Sequence, residues 1–303
     1  MRTTRSVFRG NATMLGAGIL LATQLATASD EPLPVPQAAA SPPAAEWRTV
    51  CLDDFDTFNE DNWQDQLLWV NNEDQCYLPG GAHGTREVSD GTLKLRVVDL
   101  GEPRPCDNLS KTGEKHPDTR YVSGRITTKN RKEFSQGRWT ARLRVHDSGR
   151  PGMFPAFWLL GARNNEPPVQ EEDENVCWPM PGSGEIDIFE HHGGEPPEHR
   201  PDGYATRIIV NLGHCDGGDW QTWQRVLYAE LGEYHEYSVE WQGKDLVFGR
   251  DGAEVQRIPG LAGDFVEPMF AILNFAKITK APMEGDWIME VDWVRHESLT
   301  NAP

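Results

Sequence analysis

The sequence predicts an all-β fold, an antiparallel β-sandwich of the jelly-roll type with a concave cleft, and three observations carry that prediction. Strand signals recur along the chain as short runs rich in β-branched and aromatic residues, many of them alternating. Turn clusters such as "SDG", "SQG", "RDG" and "GDFVEP" separate these runs. No stretch sustains an i, i+3, i+4, i+7 apolar pattern for three turns, so helical crossovers between parallel strands are not expected.

In chain order, residues 1–28 carry Arg2, Arg5 and Arg9, an apolar run from Met14 to Leu25, and the small residues Ala26-Thr27-Ala28. That order matches a secretory signal peptide and predicts export. The apolar run is too short and interrupted for a spanning helix, so no membrane partner is expected of the mature form. Residues 29–45, rich in proline and alanine, predict a semi-rigid spacer. Residues 46–303 have the length of one large domain, expected to be monomeric.

Within that domain the predicted strands are 92–98, 124–129, 138–145, 206–212, 234–241, 245–252, 268–276 and 287–297. The stretch 162–184 breaks the rhythm and predicts a long loop; loops of that length usually carry function or lack order.

The formal charge is −18, and removing residues 1–28 takes away three arginines and no acid, leaving −21. So acidic a surface repels phosphates, which argues against nucleic acid and anionic membrane as partners. Five cysteines stand at 51, 76, 106, 177 and 215. In an exported chain an even subset of them can pair, at least one stays free, and the spacing lacks a zinc-type C-x-x-C.

The most informative stretch is "GSGEIDIFEHHGG" (182–194), which sets Glu185, Asp187 and Glu190 among Ile186, Ile188 and Phe189. Acids on an exposed edge strand discourage pairing, but lysines are expected beside them and none is present. In a regular strand Glu185 and Asp187 share a face, whereas Glu190, five residues from Glu185, faces the other way. One extra residue, a β-bulge between Asp187 and Glu190, would return all three to one face. A row of carboxylates then suits retaining glycoside hydrolysis, in which one acid is the nucleophile and another the acid/base. A middle aspartate can assist the nucleophile and raise a neighbour's proton affinity.

The segment "GEIDIFE" resembles the bulged E-x-D-x-x-E signature of glycoside hydrolase family 16, as in its laminarinase-like members. Further segments resemble the family in order: "LDDFDTFNEDNW", "NNEDQCY", "YVSGRITTKNRKEFSQGRWTARLRV", "GMFPAFWLLG", "YHEYSVEW", "PMFAILNFA" and "MEVDWVRHE". The resemblance implies Glu185 as nucleophile, Asp187 as its assisting acid and Glu190 as acid/base, with no cofactor in the chemistry. It implies a polysaccharide substrate, β-1,3-glucan before galactans or mixed-linkage β-glucan, with a non-catalytic glucan-binding protein as the alternative class. It also implies sugar contacts from Trp158, Trp178, Arg125 and Asn72, with Asn71 in place of Asn72 if the alignment slips by one. Asn211 or His214 is expected to border the cleft. Trp158 could otherwise be a core residue, and Arg125 half of a buried ion pair. A structural calcium, as many members carry, would take Asp54, Gly91 and Asp292.

Overall fold

The computed structural model describes residues 46–178, 183–193, 203–211 and 220–300. The expected export segment, the 29–45 spacer and His214 lie outside them.

The described strands, in chain order, begin with β1 (Glu46–Asp53), β2 (Gln64–Asp65), β3 (Cys76–Tyr77), β4 (Arg86–Ser89), β5 (Thr92–Arg104) and β6 (Thr119–Ser123). Then come β7 (Arg125–Thr127), β8 (Glu133–Phe134), β9 (Gly137–His146), β10 (Met153–Gly161), β11 (Glu185–Glu190) and β12 (Gly203–Asn211). The last six are β13 (Trp220–Tyr228), β14 (His235–Gln242), β15 (Asp245–Arg250), β16 (Ala253–Ile258), β17 (Met269–Lys277) and β18 (Trp287–Thr300). Among the described residues, helical structure is confined to the short 3₁₀ segments Pro79–Gly84 and Ala262–Asp264.

Two sheets result. One runs β16-β15-β14-β9-β18-β5-β6-β3, with β1 added on β18 and β4 on β5; the other runs β13-β12-β11-β10-β17-β7-β2, with β8 on β17. Pairing is antiparallel except between β3 and β6. The period-two pattern explains the layering. From β9, Trp139, Ala141, Leu143 and Val145 turn inward, and from β17, Met269, Ala271, Leu273 and Phe275 do the same; all belong to one buried cluster between the sheets. The "SDG" and "RDG" clusters become two-residue hairpin turns. Asp90 and Gly91 have φ of 56° and 71°, and Asp251 and Gly252 have 52° and 76°, the left-handed values that match the strands' twist.

All eight expected strands form. β13 and β16 were not expected, because "WQTWQRVLY" and "AEVQRI" are polar edge strands with little apolar alternation. Cys76 and Cys106 form a disulfide that ties the end of β5 to β3. Cys177 is also disulfide-bonded, and Cys51 is a free thiol.

Register brings the three calcium candidates toward one corner, since Asp53 lies opposite Val294 and Leu93 opposite Val291. Asp292 occupies the irregularity between Val291 and Trp293, where its carboxylate pairs with Arg142. Oxygen-rich corners suit calcium, but an ion here would have to draw Asp292 off that guanidinium.

Candidate active site

The site is built on β11. Opposite β10, Phe157 faces Phe189 and Trp158 faces Asp187, so Ile188 has no cross-strand partner; the register against β12 slips at the same place. This is the bulge that the spacing calls for. It turns Ile186, Ile188 and Phe189 into the core, each no more than 1% exposed. Glu185, Asp187 and Glu190 all line a cleft of about 600 Å³ on the other side.

Burial sets the electrostatics. Glu185 is pushed up to about 7 by burial and by the charges of Glu190 and Glu166. Glu190 is likewise pushed up to about 7 by burial, against the pull of Arg207. The Arg207 Nε lies 3.5 Å from the Glu190 Oε2. Asp187 is held well above the usual carboxylate range by burial, then by Glu190 and Glu185, and it shares a hydrogen bond with Glu185. Three adjacent buried acids cannot all ionise near neutral pH, so they titrate as a set. A protonated Asp187 donating to Glu185 favours a carboxylate there, and burial favours a proton on Glu190. The arrangement therefore supplies a nucleophile and an acid from one strand.

Trp158 lies directly across from Asp187 and faces the cleft rather than the core between the sheets. Its indole N–H donates to the Asn274 Oδ1 at 2.7 Å, and Arg125 lies over its ring at 5.0 Å. Trp178 lines the same cleft, and both tryptophans pack on Leu160, Phe270 and Ile272. Both indoles are thus fixed from behind, as a platform for the C–H faces of a sugar requires.

Arg125 reaches the cleft wall but is only 2% exposed. Its Nε donates to the Gln66 Oε1 at 2.6 Å and its Nη2 to the Glu166 Oε2 at 2.8 Å. A guanidinium so committed shapes the wall in place of reaching out to hydroxyls. Asn72 gives way to Asn71, which lines the cleft. Both asparagines have positive φ and together make a tight turn.

The histidines separate as alternation requires. His191 is buried, while His192 lines the cleft against the Phe154 ring, 4.2 Å away. Sequence reasoning missed Lys111, with its neighbours Ser110 and Thr112, and it missed Arg207, Glu73 and Glu166. A charge in a loop carries no periodic signal. For Arg207 the hint was a cation placed inside a strand, at "TRIIV".

The loop after β10 is tied down. Lys129, fully buried, pairs with Glu174 at 2.8 Å and donates to the carbonyls of Asn164 and Glu166 at 2.7 and 2.6 Å. Gln66 adds a hydrogen bond to the Pro167 carbonyl at 2.6 Å. Residues 162–178 therefore form part of the cleft wall and bring Glu166 into it.

Residues 85–272 match the model for glycosyl hydrolases family 16. Among characterised relatives, the beta-glucanase of Rhodothermus marinus is 27% identical over 222 residues, 71% of this chain and 67% of that protein. The endo-1,3-1,4-beta-glycanase EglC of Rhizobium meliloti is 25% identical over 240 residues, 78% of this chain and 44% of that protein. The chain thus spans between 44% and 67% of the length of such relatives. Among solved structures, the LamA catalytic module of Zobellia galactanivorans superposes with a TM-score of 0.64 at 25% identity, over 82% of this chain and 96% of that one. The catalytic domain of an endo-1,3-beta-glucanase (laminarinase) from Thermotoga petrophila gives a TM-score of 0.64 at 22% identity, over 85% of this chain and all of that one, a likeness of fold.

Proposed function

The chain belongs to glycosyl hydrolase family 16, and from that membership we propose that it is an exported endo-acting β-glucanase that cleaves β-1,3-linked glucan with retention of configuration. The observation that carries the proposal is the bulge at Ile188, which sets Glu185, Asp187 and Glu190 along one cleft beside Trp158. In the first step the Glu185 carboxylate attacks the anomeric carbon while the glycosidic C–O bond breaks and Glu190 gives its proton to the leaving oxygen. Forming the ester removes the charge of Glu185, so the proton affinity of the now ionised Glu190 falls toward that of a base for water. Water then attacks the anomeric carbon, loses its proton to Glu190 and frees Glu185. No cofactor enters either step.

A second reading, hydrolysis of mixed-linkage β-1,3-1,4-glucan, is supported by the relatives in Rhizobium meliloti. The N-terminal sequence supports export, and among the described residues no helix is long and apolar enough to cross a membrane. A monomer is proposed, together with a structural calcium at the Asp54, Gly91 and Asp292 corner.

The test is product analysis on laminarin, mixed-linkage glucan, agarose and carrageenan, with the anomer of the first product read by NMR. We expect oligosaccharides of retained configuration from a glucan. Glu185→Gln and Glu190→Gln should each lose about a thousandfold or more in kcat. Inverted product, or cleavage of the galactans alone, would refute the mechanism or the substrate respectively.

A further inference from the structure

The cleft holds more acid than its chemistry uses. Five carboxylates line it, namely Glu73, Glu166, Glu185, Asp187 and Glu190, against the cations Lys111, Arg125 and Arg207. Arg207 faces Glu190. Arg125 must answer both Glu73 and Glu166, two acids no more than 4% exposed. Glu166 is rigidly placed by Asn164, whose Oδ1 accepts from its backbone N–H at 2.9 Å, and by Lys129 on its carbonyl. Its two carboxylate oxygens are divided between two cations. The Arg125 Nη2 lies 2.8 Å from Oε2 and the Lys111 Nζ lies 3.0 Å from Oε1.

Lys111 reaches this position from the opposite wall. It belongs to the loop between β5 and β6, which is held by the Cys76–Cys106 disulfide and by the Trp69 N–H donating to the Leu109 carbonyl at 2.9 Å. The loop closes on itself through the Ser110 N–H and the Glu114 carbonyl, 2.8 Å apart. The Lys111 side chain is 31% exposed, so it is the wet end of an otherwise dry charge chain.

We propose that Lys111 is a positioning residue for the nucleophile: by pairing with Glu166 it cancels the negative charge that the β10–β11 loop brings beside Glu185, and so keeps Glu185 ionised while Glu190 stays protonated. The inference rests on the catalytic reading of Glu185 for its kinetic consequence, while the electrostatic link rests on the Lys111–Glu166 ion pair and on the cleft that both share with Glu185. Charged or titratable groups reach the cleft from most elements around Glu185, whereas β10 and β17 bring only Phe154, Ala156, Trp158 and Asn274. Asp187 and Glu190 come from its own strand and His192 follows it; Arg207 comes from β12, Arg125 from β7, Glu73 from the segment before β3, and Glu166 and Lys111 from the two loops. Glu166 raises the proton affinity of Glu185, after burial and Glu190, and Lys111 opposes it. Lys111 also heads the charges that hold Glu166 below the usual carboxylate range despite its burial.

The experiment is a ¹³C NMR titration of side-chain-labelled glutamate, with the Glu185 signal assigned by its loss in Glu185→Gln. Lys111→Met should raise the Glu185 midpoint by about half a pH unit, while Lys111→Arg leaves it in place. Glu166→Gln should lower it, and Lys111→Met with Glu166→Gln together should return it near the starting value. The acidic limb of kcat/KM should follow, making Lys111→Met roughly threefold slower below the limb. A Glu185 midpoint that ignores Lys111→Met overturns the inference, as does an equal rise in the double variant. Should Lys111→Met fail to fold, an unmoved midpoint in Glu166→Gln overturns it equally. A wild-type protein that titrates as expected but cleaves no polysaccharide would refute the catalytic reading and leave the link intact.

Discussion

The Nε of Arg207 lies 3.5 Å from the Oε2 of Glu190, and Arg207 sits directly across from Asp187 in the β11–β12 ladder. One cation on the neighbouring strand therefore works on the whole acidic set. Burial pushes Glu190 up and Arg207 pulls it down, and Arg207 also opposes the rise at Glu185.

Replacing Arg207 with leucine should move both limbs of the pH–rate bell to higher pH by roughly half to one unit. Activity at pH 6 should fall several-fold while activity at pH 8, relative to the maximum, should rise. Arg207→Lys should restore most of the wild-type profile. A bell that stays in place while kcat drops would mean that Arg207 acts by shape alone.

The same burial costs stability. Glu185 and Glu190 have an ordinary value of 4.5 and are pushed up to about 7 in the fold. The unfolded chain therefore gives up these protons first as pH rises. Stability falls between pH 4.5 and 7 and the loss is complete above that range. Glu185→Gln and Glu190→Gln should each stabilise the protein at pH 8, by about 1–3 kcal/mol, and should gain almost nothing below pH 4.5. Thermal melts at the two pH values check this. A gain of equal size at both would point to packing instead of charge.

The fold and the three carboxylates were legible because both rest on period. Alternation in β9, β17 and β18 marks the inner faces, and the five-residue interval from Glu185 to Glu190 requires a bulge wherever the two acids share a face. Residues that act from loops carry no such signal. Lys111 and Glu166 meet across 3.0 Å although 55 positions separate them in sequence, and no local pattern foretells that closure. The two alternatives for Arg125 stayed open for a related reason. Its strand position is readable, but whether a guanidinium faces ligand or partner depends on Gln66 and Glu166, two other segments. Asn71 and Asn72 show the limit of alignment in a turn, where a shift of one residue exchanges cleft for solvent.

A calcium ion at the Asp54, Gly91 and Asp292 corner would bind the native state alone and would therefore raise Tm by an amount that grows with the logarithm of calcium concentration above its dissociation constant. With calcium well above its dissociation constant a rise of a few degrees is expected, and a chelator should reverse it. Because the ion competes with Arg142 for Asp292, Arg142→Met should strengthen the calcium response. An unchanged Tm in both proteins would leave the Arg142–Asp292 pair as the whole chemistry of the corner.

The loop that carries Glu166 is anchored by a buried lysine. Lys129 has no exposed surface, and its ammonium group is divided among the Glu174 carboxylate and the carbonyls of Asn164 and Glu166. Lys129→Met keeps the stem but strands a carboxylate whose side chain is only 4% exposed. Breaking one side of a fully buried pair costs about 3–5 kcal/mol. Glu174, however, keeps hydrogen bonds from the Asn130 amide and from the Gln170 and Glu171 backbone N–H groups, so a loss of about 1–3 kcal/mol is expected here. Adding Glu174→Gln should recover a large part of that loss, since the double change removes the orphaned charge as well. The kinetic effect should differ from the thermodynamic one. With Glu166 released from its anchor, the wall formed by Arg125 and Lys111 loosens, so KM should rise more than kcat falls. Denaturant melts and steady-state kinetics on the two variants separate the effects. A loss below about 1 kcal/mol in Lys129→Met would show that the loop is held by its other contacts, Gln66 among them.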